Sequence, residues 1–148
     1  MGSDPVSRFW LDPRDKPGLL LAFMREFSGI DSWVSFEGYL TETLLAGLPG
    51  ASSQETDTLQ RQGVSRPVTD FIVAPLTADA ISIIRPEIYR AGGLTDPARI
   101  IHVQIAKNGR LLFGGYDNFH RECTIAYDGV PHAFLDELVR RGLIRGYR

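Results

Sequence analysis

Asn108-Gly109 stands between two apolar runs, IIHVQIAK before it and RLLFGG after it. A type I′ turn needs positive φ at both central positions, and Asn followed by Gly meets that need at little steric cost. The pattern therefore predicts a hairpin, and a hairpin commits the chain to an antiparallel sheet. A two-residue loop would pair Ile105 with Leu112, Val103 with Gly114 and Ile101 with Tyr116, making one largely apolar face. The opposite face would then carry His102 beside Gly115 and Gln104 beside Phe113.

Strand and helix patterns alternate irregularly around this hairpin. Residues 1–14 read as an irregular arm broken by Pro5 and Pro13, with Phe9, Trp10 and Leu11 docking on the body of the domain. From Asp15 the period turns helical: Asp15 caps, Pro17 sits in the first turn, and Leu19, Leu20, Phe23, Met24 and Phe27 recur until Ser28-Gly29. Residues 33–40 read as a strand with Val34, Phe36 and Leu40 on one face and Ser35 and Glu37 on the other. A short helix is expected over 41–46, then a mobile excursion over 47–66, where Ser52 and Glu55 have capping-box spacing but little apolar sequence follows.

Residues 70–76, DFIVAPL, are apolar on both sides of the pleat, as in a central strand covered on both faces. Thr77 offers an N-cap for a helix bearing Ile81, Ile84 and Ile88, with Pro86 expected to kink or divide it and Gly92-Gly93 to end it. Residues 123–127 read as the last strand and Asp128-Gly129 as a turn. Pro131 opens a final helix whose buried stripe is Phe134, Leu135, Leu138 and Val139, closed by Gly142 at its C′ position and Leu143 beyond. Arg140, Arg141, Arg145 and Arg148 follow, where cations complement a helix C-terminus. The fold expected is a single α+β domain over 1–148. Its mainly antiparallel sheet has four or five strands, with helices packed on it and a helix at the C-terminal end.

At 148 residues the chain is long enough to bury a core without metal or disulfide support. Its formal net charge of -2 gives no field to draw in nucleic acid or an anionic membrane. One cysteine, Cys123, allows no intramolecular disulfide, and no segment reaches the ~20 apolar residues of a membrane span. The opening residues carry prolines and acids where a secretory leader needs an apolar run, so a cytoplasmic protein is expected.

Residues able to do chemistry concentrate just after the hairpin, in GGYDNFHREC. A carboxylate from Asp117 or Glu122 can orient His120 as a base or ligand. Metal sites need three or four ligands, which His102, Glu37 or Asp128 would have to complete from a distance, so no metal and no cofactor is assigned. Asp117-Asn118 after Gly114-Gly115 also suits turn chemistry, and the glycines suit a bulge or a close backbone approach. No phosphate-cradling GxxxxGK[ST] or GxGxxG pattern occurs. Cys123 opens an apolar strand and reads as a small buried residue rather than a nucleophile. His102 reads as half-buried and Glu37 as solvated.

The candidate functional group is therefore Tyr116, Asp117, Asn118, His120 and Glu122, with His102 and Glu37. With no complete catalytic constellation, the expected function is a small soluble interaction or regulatory domain that binds a protein partner, for example an immunity-type inhibitor. The alternative is a hydrolase or metal-dependent enzyme centred on Asp117, His120 and Glu122. A third possibility is a small-ligand pocket lined by His102, Gln104 and Phe113.

Overall fold

The computed structural model describes residues 8–63, 69–90, 93–94 and 99–148. Seven strands form one antiparallel sheet: β1 (Arg8–Pro13), β2 (Ser32–Gly38), β3 (Asp70–Pro75), β4 (Ile100–Lys107), β5 (Arg110–Gly115), β6 (Thr124–Tyr127) and β7 (Ile144–Tyr147). Their spatial order is β3-β2-β4-β5-β6-β1-β7. The helices are α1 (Lys16–Phe27), α2 (Ala78–Tyr89) and α3 (His132–Arg140). The α+β class stands, with seven strands in place of the expected four or five.

The two unforeseen strands lie side by side at one edge. Arg8–Pro13, expected to be part of an irregular arm, pairs with β6 through Phe9 and Ala126, and Pro13 closes it where its pairing with β7 becomes irregular. Residues 1–7 of that arm lie outside the described residues. The Arg-rich tail does not merely follow a helix: residues 144–147 return to pair with β1, so residues 123–127 are not the last strand.

Helix signals fared well where a cap defined them. The Asp15 carboxylate accepts from the Gly18 amide at 3.0 Å, and the Thr77 hydroxyl accepts from Ala80 at 3.1 Å. Gly142, at φ +72°, follows α3, with the Gly142 amide donating to Val139 and Leu143 to Leu138, a complete Schellman ending. Val139 itself is largely solvent-facing, outside the buried stripe of Phe134, Leu135 and Leu138. Pro86 does not divide α2; it and Ser82, whose carbonyl loses a donor, both face water, which can serve that carbonyl. The helix ends at Tyr89, and Gly92 lies outside the described residues. The helix expected over 41–46 is only a 3-10 turn at Leu45–Gly47.

All three helices cover one face of the sheet. Phe23 of α1 packs on Phe113 of β5 at 4.4 Å between centroids and on Phe134 of α3 at 5.0 Å, within a core that includes Val34, Phe36, Val103 and Ile105. Among the described residues, the other face is covered at one end only. There residues 52–63, the described centre of the stretch expected to be mobile, lie across the strands. Ser52 bridges Val73, and Leu59 is fully buried against Phe71, Val73 and Ala106. Residues 70–75 are thus apolar on both sides because two layers cover them, yet β3 is an edge strand and not a central one.

The hairpin turns as expected, with φ +54° at Asn108 and +74° at Gly109. Its register does not follow. Lys107 pairs with Arg110 and Ala106 with Leu111, then a bulge intervenes and Ile105 faces Phe113, Gln104 faces Gly114 and Val103 faces Gly115. The extra residue is Leu112. The bulge turns Leu112 and Phe113 both toward the helices, where both are buried, whereas strict alternation would put Phe113 on the other face.

After this shift, Gly114 and Gly115 each receive a ring. A Cβ at Gly114 would overlap the Tyr116 ring on the face away from the helices; one at Gly115 would stand 2.6 Å from Phe119 Cε1 in the core. Phe119 is nearly fully buried and has no room to retreat. Gly115→Ala is expected to lower the unfolding free energy by about 1–3 kcal/mol, the usual cost of overpacking a core. Urea unfolding checks it, and a loss below about 0.5 kcal/mol would mean that Phe119 moves aside freely.

Candidate functional site

The chain between β5 and β6 makes a left-handed turn. Asp117, Asn118 and Phe119 have φ of +52°, +55° and +57°, an arrangement that L-residues seldom adopt in succession. Asn118 holds it. Its side-chain amide donates to the carbonyls of Leu94 at 2.7 Å and Ile100 at 3.1 Å, and its backbone amide donates to Ile101 at 2.7 Å. Lys16 Nζ donates to its carbonyl oxygen at 2.7 Å and to Oδ1 at 3.2 Å. Asn118 is buried, and every one of these contacts is structural.

The remaining residues of the segment separate. Tyr116 turns back over Gly114, where its hydroxyl accepts from Gln104 Nε2 at 3.0 Å and lies 3.0 Å from the Tyr127 hydroxyl. Burial, then the neighbouring Tyr127 hydroxyl, pushes the Tyr116 phenol well above its ordinary range, so it stays protonated. Asp117 is exposed, and its backbone amide donates to His102 Nδ1 at 3.1 Å. His120 is also exposed; its Nδ1 accepts from the Glu122 amide at 3.1 Å, which is turn chemistry rather than an imidazole oriented by a carboxylate. Its carbonyl accepts from the Cys123 amide and the Thr124 hydroxyl, and among the described residues its ring bonds no other side chain. Burial, followed by the Asp117 and Glu122 carboxylates, raises the Cys123 thiol, which disfavours the thiolate that a nucleophile requires.

His102 and Glu37 come together as cross-strand partners on the face away from the helices. Glu37 is not solvated. It is 2% exposed and accepts from the backbone amides of Gln62 at 2.8 Å and Gly63 at 2.9 Å and from Thr69 Oγ1 at 3.4 Å. Its polar environment is supplied by the covering segment rather than by water. His102 is half-buried; burial lowers its pKa, partly opposed by Glu37 and then Asp117. With Nδ1 accepting a hydrogen bond, the neutral ring carries its proton on Nε2.

Beside this pair runs a polar relay. Gln104 Oε1 accepts from the Ser35 hydroxyl at 3.3 Å and from the Gln60 amide at 3.2 Å, while Nε2 reaches Tyr116. His102, Gln104 and Phe113 do not line a common pocket, because the bulge sends Phe113 into the helix-covered core and residues 59–63 close over Gln104. Among the described residues no three His, Cys, Asp or Glu side chains are arranged to hold a metal ion.

Sequence reasoning overlooked the uncovered half of this face. Register places Gly114, Ile125 and Trp10 in one row and Tyr127 and Arg8 in the next. Tyr116 lies over the first row, Leu111 borders it, and the Arg8 guanidinium sits 5.4 Å from the centre of the Tyr127 ring. The only sequence signal for this surface was the alternation of Arg8, Trp10, Ile125 and Tyr127, legible once both segments are taken as strands. No protein-family model matches the chain, and no characterised protein or solved structure matches it at a significant level.

Two outcomes follow from this geometry. Because burial depresses the His102 pKa below its ordinary 6.5, the unfolded chain takes up that proton first; stability is full above 6.5 and falls as pH drops toward the lower folded value. His102→Asn keeps an acceptor for the Asp117 amide and should flatten that part of the profile, read by urea unfolding between about pH 5 and 8. A slope unchanged in the variant would assign the effect to another group. Asn118→Ala strands two buried carbonyls and places alanine at positive φ, so a loss of about 2–4 kcal/mol is expected in the same assay.

Proposed function

We propose that this chain is a small soluble, non-enzymatic interaction domain of the cytoplasm that binds a protein partner through the uncovered half of its sheet. The observation that carries this reading is the composition and placement of that surface. Trp10, Leu111, Tyr116 and Ile125 are partly exposed on one face, with Tyr127 buried among them under the Arg8 guanidinium. Aromatic and arginine side chains on a rigid sheet make strong anchors, because they offer large contact areas with little conformational entropy to lose. Arg8, Arg110, Leu111, Tyr127 and Asp128 line a recess of about 350 Å³ beside them, enough to receive a partner side chain.

The charges indicate the partner's chemistry. Arg110 is paired with Asp128 at 3.0 Å, whereas Arg8 has no ion-pair partner among the described residues and rests on Tyr127. An apolar projection with a carboxylate beside it would fill the recess and meet Arg8. An inhibitor of the immunity type, which covers a functional surface of its target, is one concrete form of such a domain. Neither nucleic acid nor membrane belongs to this reading: the net charge is -2, and no helix among the described residues is long and apolar enough to cross a membrane.

The hydrolase reading has less behind it, because no hydrogen bond joins the His120 ring to the Asp117 or Glu122 carboxylate: the Asp117 amide donates to His102, and the His120 ring accepts from the Glu122 amide. Substitution separates the two. Once a partner is captured, Trp10→Ala or Ile125→Asp should weaken it by about 2 kcal/mol or more, roughly thirtyfold in Kd, while Leu44→Ala, in the segment beside β3 at the opposite end of the sheet, should leave it unchanged. Binding indifferent to both substitutions would sink the proposed surface. Turnover in a hydrolase panel that disappears with His120→Ala would overturn the non-enzymatic reading altogether.

A further inference from the structure

We propose that the cleft at the β3 edge, between residues 40–46 and 53–61, binds a small zwitterion of the α-amino acid type with an apolar side chain. The cleft has a volume of about 420 Å³, within the range of sites that enclose small organic molecules. Leu40, Ala46, Phe71 and Ile72 supply an apolar lining, and two charges of opposite sign, Arg61 and Asp70, border the same space. It lies at the other end of the sheet from the proposed partner surface and stands independently of it.

Both charges are held in place without neutralising each other. Arg61 Nη1 donates to the Thr69 carbonyl at 2.7 Å, and the guanidinium sits 5.3 Å from the centre of the Phe71 ring. One edge of the fork is thus fixed and the ring supports its face, leaving the other nitrogens for a planar anion. Asp70 Oδ2 accepts from the Leu40 amide at 2.9 Å. Among the described residues neither Arg61 nor Asp70 forms an ion pair with the other or with any third group. Glu55 accepts from the Arg61 backbone amide at 3.2 Å, and Glu37 is taken up by Gln62, Gly63 and Thr69.

A guanidinium and a carboxylate that border one partly apolar cleft without forming an ion pair call for a ligand that carries both complements. A plain anion would meet Asp70, and a plain amine would meet Arg61. A molecule with a carboxylate for Arg61, an ammonium for Asp70 and a short hydrocarbon body for Phe71 and Ile72 satisfies all three. The β3 backbone adds to this. Val73 gives its amide and carbonyl outward to Ser52, and strand alternation turns those of Phe71 outward too, toward the cleft.

The test is a binding titration of the full chain with L-leucine and L-phenylalanine, read by NMR shifts of the Ala46 and Ile72 signals. Two leucine analogues serve as controls: 4-methylpentanoate, which lacks the amine, and 3-methylbutylamine, which lacks the carboxylate. Saturable binding of an amino acid with Kd below about 1 mM is expected, with each analogue at least about tenfold weaker. Arg61→Gln and Asp70→Asn should each weaken binding by a similar factor. Ala46→Trp, which fills the exposed mouth without touching either charge, should abolish it even if Arg61→Gln loosens the segment. The inference is overturned if neither amino acid saturates by about 10 mM, or if 4-methylpentanoate binds as tightly as leucine and ignores Asp70→Asn.

Discussion

Three successive residues at positive φ form the hinge between β5 and β6, and each such residue costs roughly 1–2 kcal/mol for an L side chain. Five hydrogen bonds at Asn118 offset that cost, tying the turn to α1 through Lys16, to the chain after α2 through Leu94 and to β4 through Ile100 and Ile101. The left-handed turn sends the rings on either side of it in opposite directions. Tyr116 goes to the open face and Phe119 into the core, each over its own glycine. The position of Asn118 therefore sets both the packing beneath Phe113 and the polar relay above Gln104.

The second organising group is Glu37. A buried carboxylate is costly unless it is hydrogen-bonded, and here two backbone amides and a hydroxyl from the covering segment and its return surround it. The same contacts hold residues 59–63 over one half of the sheet, with Leu59 as the apolar pin. Glu37 thereby divides the open face in two. One half becomes a second small core with a cleft at its rim, and the other leaves Trp10 and Tyr116 partly exposed above a buried Tyr127. Both proposed binding surfaces arise from this division.

Sequence made legible whatever local chemistry decides. The Asn108-Gly109 turn, the Asp15 and Thr77 caps and the Gly142 ending all rest on one or two residues whose backbone preferences hold in most contexts. It hid what tertiary packing decides. Leu112-Phe113 reads as simple alternation, and only the space beneath α1 and α3 makes both residues turn inward. Glu37 reads as solvated because the segment that buries it, 52–63, is itself polar. β1 and β7 escaped notice because one is closed by Pro13 and the other has only four residues, and β7 pairs with β1 alone while β1 joins the sheet through β6.

The candidate site shows the same asymmetry. The cluster of polar residues in GGYDNFHREC did mark an unusual place, but its density reflects the demands of the turn. Asn118 is there to bond carbonyls, His120 to accept the Glu122 amide, and Asp117 to tolerate positive φ and present its own amide to His102. Asn118 has little left to offer a substrate, and the exposed Asp117, His120 and Glu122 side chains make no hydrogen bond to one another. Charges that border a recess or cleft lie elsewhere: Arg8 on the aromatic rows, and Arg61 and Asp70 at the rim of the covered half. In this chain the concentration of polar residues coincides with a structural hinge, and the surfaces we propose for recognition lie where the sheet's own pattern leaves charge and aromatic area at the rim of covered regions.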